Sequence, residues 1–118
     1  MSLEVQPYGG AVVLHCQGRL VDSSEADELS AAVAEVLPMA RRMVVDLAGV
    51  EPVDSEGLGE LVLLHMWARA AGFSLKFASP SRWLRQQMER TNLISVFEVH
   101  SSVTEAVHAL RDEELRTA

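Results

Sequence analysis

The spacing of apolar positions changes several times along this chain, and each change marks a new element. Leu3 to Gln6 and Ala11 to Gln17 read as two strands around the turn signal Pro7-Tyr8-Gly9-Gly10, a hairpin whose second strand ends at Gly18. Leu29, Ala32, Val33, Val36 and Leu37 then recur at helical spacing. Asp22, Ser23 and Ser24 are N-cap candidates for that helix, Glu25, Asp27 and Glu28 suit its positive dipole end, and Pro38 limits its far end. Met43 to Leu47 reads as a buried strand, followed by a loop from Ala48 to Asp54. The next helix, from about Gly57 to Ala71, carries apolar residues on more than one face and is expected to be largely buried, with Gly72 closing it. Phe73 to Ala78 alternates as a half-buried strand. Ser79 and Pro80 then open a helix bearing Trp83, Leu84 and Met88, which Asn92 ends. Val96 to Val99 reads as a short strand. Ser102 and Glu105 form a capping box for a last helix, with a polar, frayed tail from Arg111. The order ββαβαβαβα predicts one α/β domain, a sheet with parallel crossovers and helices packed on it.

Composition narrows the function. The 118 residues are 48% hydrophobic and 23% charged, enough apolar material for one ordinary core. A single cysteine, Cys16, excludes an internal disulfide and a Cys-rich zinc site. Seventeen acids against ten Lys and Arg give a net charge of −7, the wrong sign for general nucleic-acid binding. Neither a secretory signal nor a membrane-spanning run is visible, so a soluble, cytoplasmic protein with no membrane insertion is expected.

Catalytic signatures are sparse. The sequence holds no glycine-rich phosphate loop and no G-x-S-x-G elbow. His15, His65, His100 and His108 fall in no metal-ligand spacing, and no second cysteine or nearby base activates Cys16, which reads as a small buried hydrophobe. Asp46, Glu51, Asp54, Glu56 and Glu60 give residues 46–60 a local charge of −5, with no base among them. Such a loop suits a partner-facing surface better than a carboxylate active site, and no EF-hand spacing supports a cation site. Residues 76–90 are the counterpart: Lys76, Arg82, Arg85 and Arg90 against Glu89 give +3, with Arg82 and Arg85 on one helix face. No cofactor and no enzymatic activity are expected.

The segment Val44-Val45-Asp46-Leu47-Ala48-Gly49-Val50-Glu51-Pro52-Val53-Asp54-Ser55-Glu56-Gly57-Leu58-Gly59 resembles the central motif of STAS domains, especially the stand-alone bacterial anti-sigma factor antagonists. In those proteins a buried strand ends near D-L and D-S-S-G-L-G opens a helix. Similarity extends to the Ala71-Gly72 helix end, to Leu93-Ile94 through Phe97 and to Ser102 through Ala106, so it covers essentially the whole chain.

This resemblance implies a STAS-like fold and a switch. A partner anti-sigma factor that is also a serine kinase phosphorylates the first serine of the motif, the unphosphorylated protein binds that partner and releases the sigma factor, and a metal-dependent serine phosphatase resets it. By position the phosphoacceptor is Ser55, and the partner-binding residues are Asp22, Ser23, Pro52, Asp54, Glu56, Gly57, Leu58 and Glu60. An unmodified N-cap serine is the structural alternative for Ser55. The chain departs from the pattern in three places. Glu56 replaces the second serine, Pro52 stands where an aromatic or aliphatic residue is common, and the turn Gly18-Arg19-Leu20-Val21-Asp22 is one residue longer. Two other readings keep different partners: a STAS subunit of a lipid or anion transporter that binds an ATPase or permease, with Ser55 structural, and a small nucleotide-binding or hydrolytic domain using the acidic loop.

Overall fold

A computed structural model describes residues 1–117, with side chains through residue 115. The elements are β1 (Ser2–Tyr8), β2 (Ala11–Leu20), α1 (Ser23–Ala40), β3 (Arg42–Val53), α2 (Ser55–Ala70), β4 (Ser74–Ala78), α3 (Arg82–Arg90), β5 (Val99–His100) and α4 (Val103–Thr117). The strands lie in one sheet in chain order, β1 antiparallel to β2 and every later pair parallel. This is the α/β domain, with a mixed sheet, that the sequence predicts.

Each parallel pair needs a crossover, and right-handed crossovers between consecutive neighbours put their helices on one face. Buried residues of α1 (Leu29, Val33, Leu37), α2 (Leu61, Leu64, Ala68) and α3 (Leu84, Met88) accordingly share one core with Leu14, Val45, Leu47 and Phe77. The opposite face is covered by α4, whose Ala106, Val107 and Leu110 pack on Val13, Val44 and Ala78. The central strands are therefore buried on both sides, as parallel strands usually are. β4 is buried from Leu75 to Ala78 rather than half-exposed as its alternation suggests.

Several boundaries differ from the sequence reading, each for a local reason. β2 passes through Gly18, which takes a φ of 119° beside a register irregularity, and ends at Leu20. β3 continues through the predicted loop to Val53, pairing Gly49, Val50 and Val53 with Gln17, Gly18 and Leu20. Val50 and Val53 are both buried but three residues apart, so this half of β3 lacks the two-residue period that reveals a strand. Pro52 follows a cis peptide bond within it. Pro38 lies inside α1, whose last turn is closed instead by Arg41 in the left-handed region. α3 is capped by Ser81, not Ser79: the Ser79 N–H donates to the His100 carbonyl, which holds it at a φ of 56° outside the helix. Leu93 to Glu98 forms turns. The Phe97 N–H is spent on the Leu93 carbonyl, which leaves β5 only Val99 and His100. Lastly, α4 runs helical past Arg111, where Glu113 returns to Lys76 and Glu114 to Arg42.

Candidate functional site

The C-terminal ends of β2, β3 and β4 form one edge of the sheet, and the helices that follow all begin there. Leu20 pairs with Val53, so the starts of α1 and α2 are neighbours. Asp22 caps α1, its Oδ1 accepting from the Glu25 N–H at 2.9 Å, and Ser23 is the first helical residue. Asp54 caps α2 in the same way, its Oδ1 accepting from the Gly57 N–H at 2.9 Å while its carbonyl accepts from the Leu58 N–H. The Asp54 N–H in turn donates to the Leu20 carbonyl.

Ser55 is thereby corrected from N-cap to first helical residue. It is exposed, and among the described residues no hydrogen bond engages its hydroxyl. It also carries one of the first amide groups of the helix, which have no partner within it.

Gly57 fixes this arrangement. A Cβ built there would lie 2.1 Å from the Leu20 carbonyl oxygen and 3.0 Å from side-chain atoms of Leu20 and Val53. Only glycine lets α2 start this close to the end of β2, so the motif glycine sets where Ser55 stands. The remaining sequence-predicted residues divide. Glu56 is exposed beside Ser55, Leu58 is partly buried against the core, and Glu60 is half-buried facing α1. Pro52 is exposed at the end of β3, one strand residue before the edge. All eight partner-binding candidates thus fall at or next to one rim.

Other sequence candidates lie elsewhere. Asp46, on the sheet face toward α4, accepts from the Ala48 N–H through Oδ1 and pairs its Oδ2 with His15 Nδ1 at 2.7 Å. It is separate from the acidic loop with which the sequence groups it. The Cys16 thiol is buried, and burial, then the Asp46 charge, pushes its pKa up to about 12, which makes it inert as a nucleophile. Among the described residues no group of three or more His, Cys, Asp or Glu is placed to hold a metal ion, and no helix is long and apolar enough to cross a membrane.

Two features escape the sequence reading. Lys76, counted there as part of a basic surface, is only 2% exposed and pairs with Glu98 and Glu113. Its partners are 22 and 37 residues away along the chain, so no local pattern announces them. The second is on α2. Leu63, Met66 and Trp67 are exposed rather than buried, and a groove of about 330 Å³ runs between α1 and α2, lined by Ser30, Ala34, Glu60, Leu63, Leu64 and Trp67. The excess of apolar residues on this helix over what one core face can hold is the signal that was present for it.

A family model described as Mlab, STAS domain matches residues 3–98. No curated protein sequence matches the chain. Among solved structures, an anti-sigma factor antagonist from Mycobacterium paratuberculosis superposes with a TM-score of 0.81 at 22% identity, covering 93% of each chain. The antagonist SpoIIAA in its unphosphorylated form gives 0.74 at 16% identity, covering 94% of this chain and 97% of its own. A sulfate transporter family protein from Wolinella succinogenes gives 0.73 at 16% identity, covering 86% and 85%. At these identities the superpositions speak for the fold alone, and the family model carries the assignment: the chain belongs to the STAS domain family.

Proposed function

We propose that this chain is an anti-sigma factor antagonist, a cytoplasmic, non-enzymatic interaction switch with Ser55 as its phosphoacceptor. In its unphosphorylated form it binds an anti-sigma factor with serine kinase activity and so releases a sigma factor. A metal-dependent serine phosphatase restores that form. One observation carries the reading. Asp54 performs the capping, which leaves the Ser55 hydroxyl exposed and, among the described residues, without a hydrogen bond, on a helix start held in place by Gly57. SpoIIAA, which shares the fold, is known in both a phosphorylated and an unphosphorylated form.

The physics of a phosphate at Ser55 is then specific. It adds about −1.5 to −2 charge. The α2 N-terminus stabilises part of it through its free amides and dipole. The nearby side chains are Asp54, Glu56 and Glu60, and neither α1 nor the first ten residues of α2 contains a base. Neither of the two helices that begin at this rim beside Ser55 supplies an Arg or Lys to capture the phosphate, so on this reading the modification works by charge and bulk at the docking rim, without refolding the domain.

The test is affinity capture from a lysate of the native organism with wild type, Ser55→Ala and Ser55→Asp as parallel baits. A serine-kinase-like anti-sigma factor is expected with the first two and at least about tenfold depleted with the third, since like charges across an interface cost several kcal/mol. Equal recovery on wild type and Ser55→Asp overturns the switch. Transporter subunits on all three baits replace the sigma-pathway reading and make Ser55 structural.

A further inference from the structure

The helix layer that presents Ser55 also carries two surfaces that complement each other. The first is the groove between α1 and α2. Glu56, Glu60, Leu63 and Trp67 follow one another along the α2 side, with Asp27, Ser30 and Ala34 along the α1 side, at spacings that keep each set on one face. Leu63 is 60% exposed, and Trp67 forms the lower wall, its ring tilted on Phe73 with centroids 5.7 Å apart. The second surface is the outer ridge of α3. Leu84 and Met88 point into the core, so Arg82, Gln86 and Arg90 turn outward, with the 45% exposed Trp83 beside them.

Their charges are opposite, and besides the pair of Glu28 with the N-terminal amine and that of Arg85 with Glu89 no ion pair among the described residues offsets them. α1 carries four acids and no base. Among the described residues, no ion pair engages Asp27, Glu56 or Glu60, and none engages Arg82 or Arg90, whereas Arg85 is held by Glu89 on its own helix. Each surface thus offers an exposed large apolar group ringed by free charge of one sign. The acidic, apolar groove matches the basic, tryptophan-bearing ridge.

We infer that the chain forms a two-fold dimer in which α3 of each copy seats Trp83 in the α1–α2 groove of the other, with Arg82 and Arg90 against Glu56 and Glu60. Groove and ridge lie side by side in one layer. A two-fold axis between them therefore brings both pairs together at once and closes the assembly, as an isologous interface requires. The dimer covers the outer face of α2 and competes with any partner that reads Ser55. It forms without that partner, so its failure leaves the proposed switch standing.

Sedimentation velocity on the intact chain, as a function of protein concentration and of salt, tests this. Wild type is expected to show a monomer–dimer equilibrium that weakens as salt rises. Glu60→Arg sets a positive charge in the groove against the arginines of the ridge, and Arg82→Glu a negative charge on the ridge against the acids of the groove. Each alone is expected to raise the dissociation constant at least about tenfold. An equimolar mixture of the two restores dimers, because both contacts in the mixed pair again join opposite charges. A wild type that stays monomeric at millimolar protein and low salt overturns the inference. So do single variants that dimerise like wild type, and a mixture that stays monomeric. If Glu60→Arg weakens partner capture while wild type is monomeric, the groove belongs to the partner and the dimer is wrong.

Discussion

At the scale of single residues, the rim depends on Gly57 more than on any charged group. Its missing side chain lets the Leu20 carbonyl, the Asp54 cap and the start of α2 occupy one small volume. Gly57→Ala should therefore destabilise the domain by about 3 kcal/mol, as forced overpacking does, and displace Ser55 as well. Urea unfolding measures the first effect, and a loss below about 0.5 kcal/mol, within the range of neutral surface changes, would sink the account. Two histidines make a second residue-scale prediction. Burial, then Arg69, lowers the pKa of His65, and burial, then Lys76, lowers that of His100 against the opposing pull of Glu105 and Glu113. Both prefer the neutral form in the fold. Unfolded chains take up protons below about pH 6.5 that the native state refuses, so this stability is complete above about pH 6.5 and is lost as pH falls through that value toward the lower native ones. A His65→Gln/His100→Gln variant should lose less stability than wild type between about pH 7 and about pH 5, and equal pH slopes in paired urea titrations would contradict it. Ser55 and Gly57 were both legible as a motif. Their division of labour was not, because it depends on a carbonyl 37 residues upstream of Gly57.

At the scale of elements, the bodies of the helices were read well and the ends of helices and strands poorly. The i, i+3, i+4, i+7 stripe of α1 is a local property, and so is the capping box of α4, in which the Glu105 N–H donates to Ser102 Oγ at 3.1 Å and the Glu105 carboxylate accepts from the Ser101 N–H. The second half of β3 is strand only because β2 lies beside it, and its Gly49, Pro52 and unevenly spaced valines look like a loop to any local rule. α4 illustrates the same limit from the side of charge. Its polar end is tied to the sheet by Glu113, which shares Lys76 with Glu98. The lysine is buried while both carboxylates reach solvent, so the arrangement is asymmetric. Taking away the carboxylates strands a buried cation, whereas taking away the lysine leaves two groups that water can solvate. Glu98→Gln/Glu113→Gln should cost about 3 kcal/mol and Lys76→Met close to nothing. Thermal and urea unfolding of the two variants side by side decide it, and equal losses would refute the asymmetry.

At the scale of the whole molecule, the chain separates its charge across one helix layer, acidic over α1 and the start of α2, basic over the outside of α3. The sequence exposed that imbalance as −5 over residues 46–60 and +3 over residues 76–90. Composition could not say that Lys76 leaves the basic surface for the interior or that Asp46 leaves the acidic one for the opposite face of the sheet, since burial is decided by packing. The sheet itself has a plainer property. Its strands stand side by side in the order in which they occur in the chain, so every strand pairs with material already synthesised. A ribosome releasing this chain from its N-terminus can lay down hairpin, then βα unit after βα unit, with no strand waiting for a distant mate. Contacts that close early in this way shorten the search. The exception is α4, which must arrive before Val13, Val44 and Ala78 leave water. Until Leu110 has cleared the exit tunnel, the nascent domain carries one finished face, the one that bears Ser55, and one bare apolar face, and in that interval it is most in need of a chaperone.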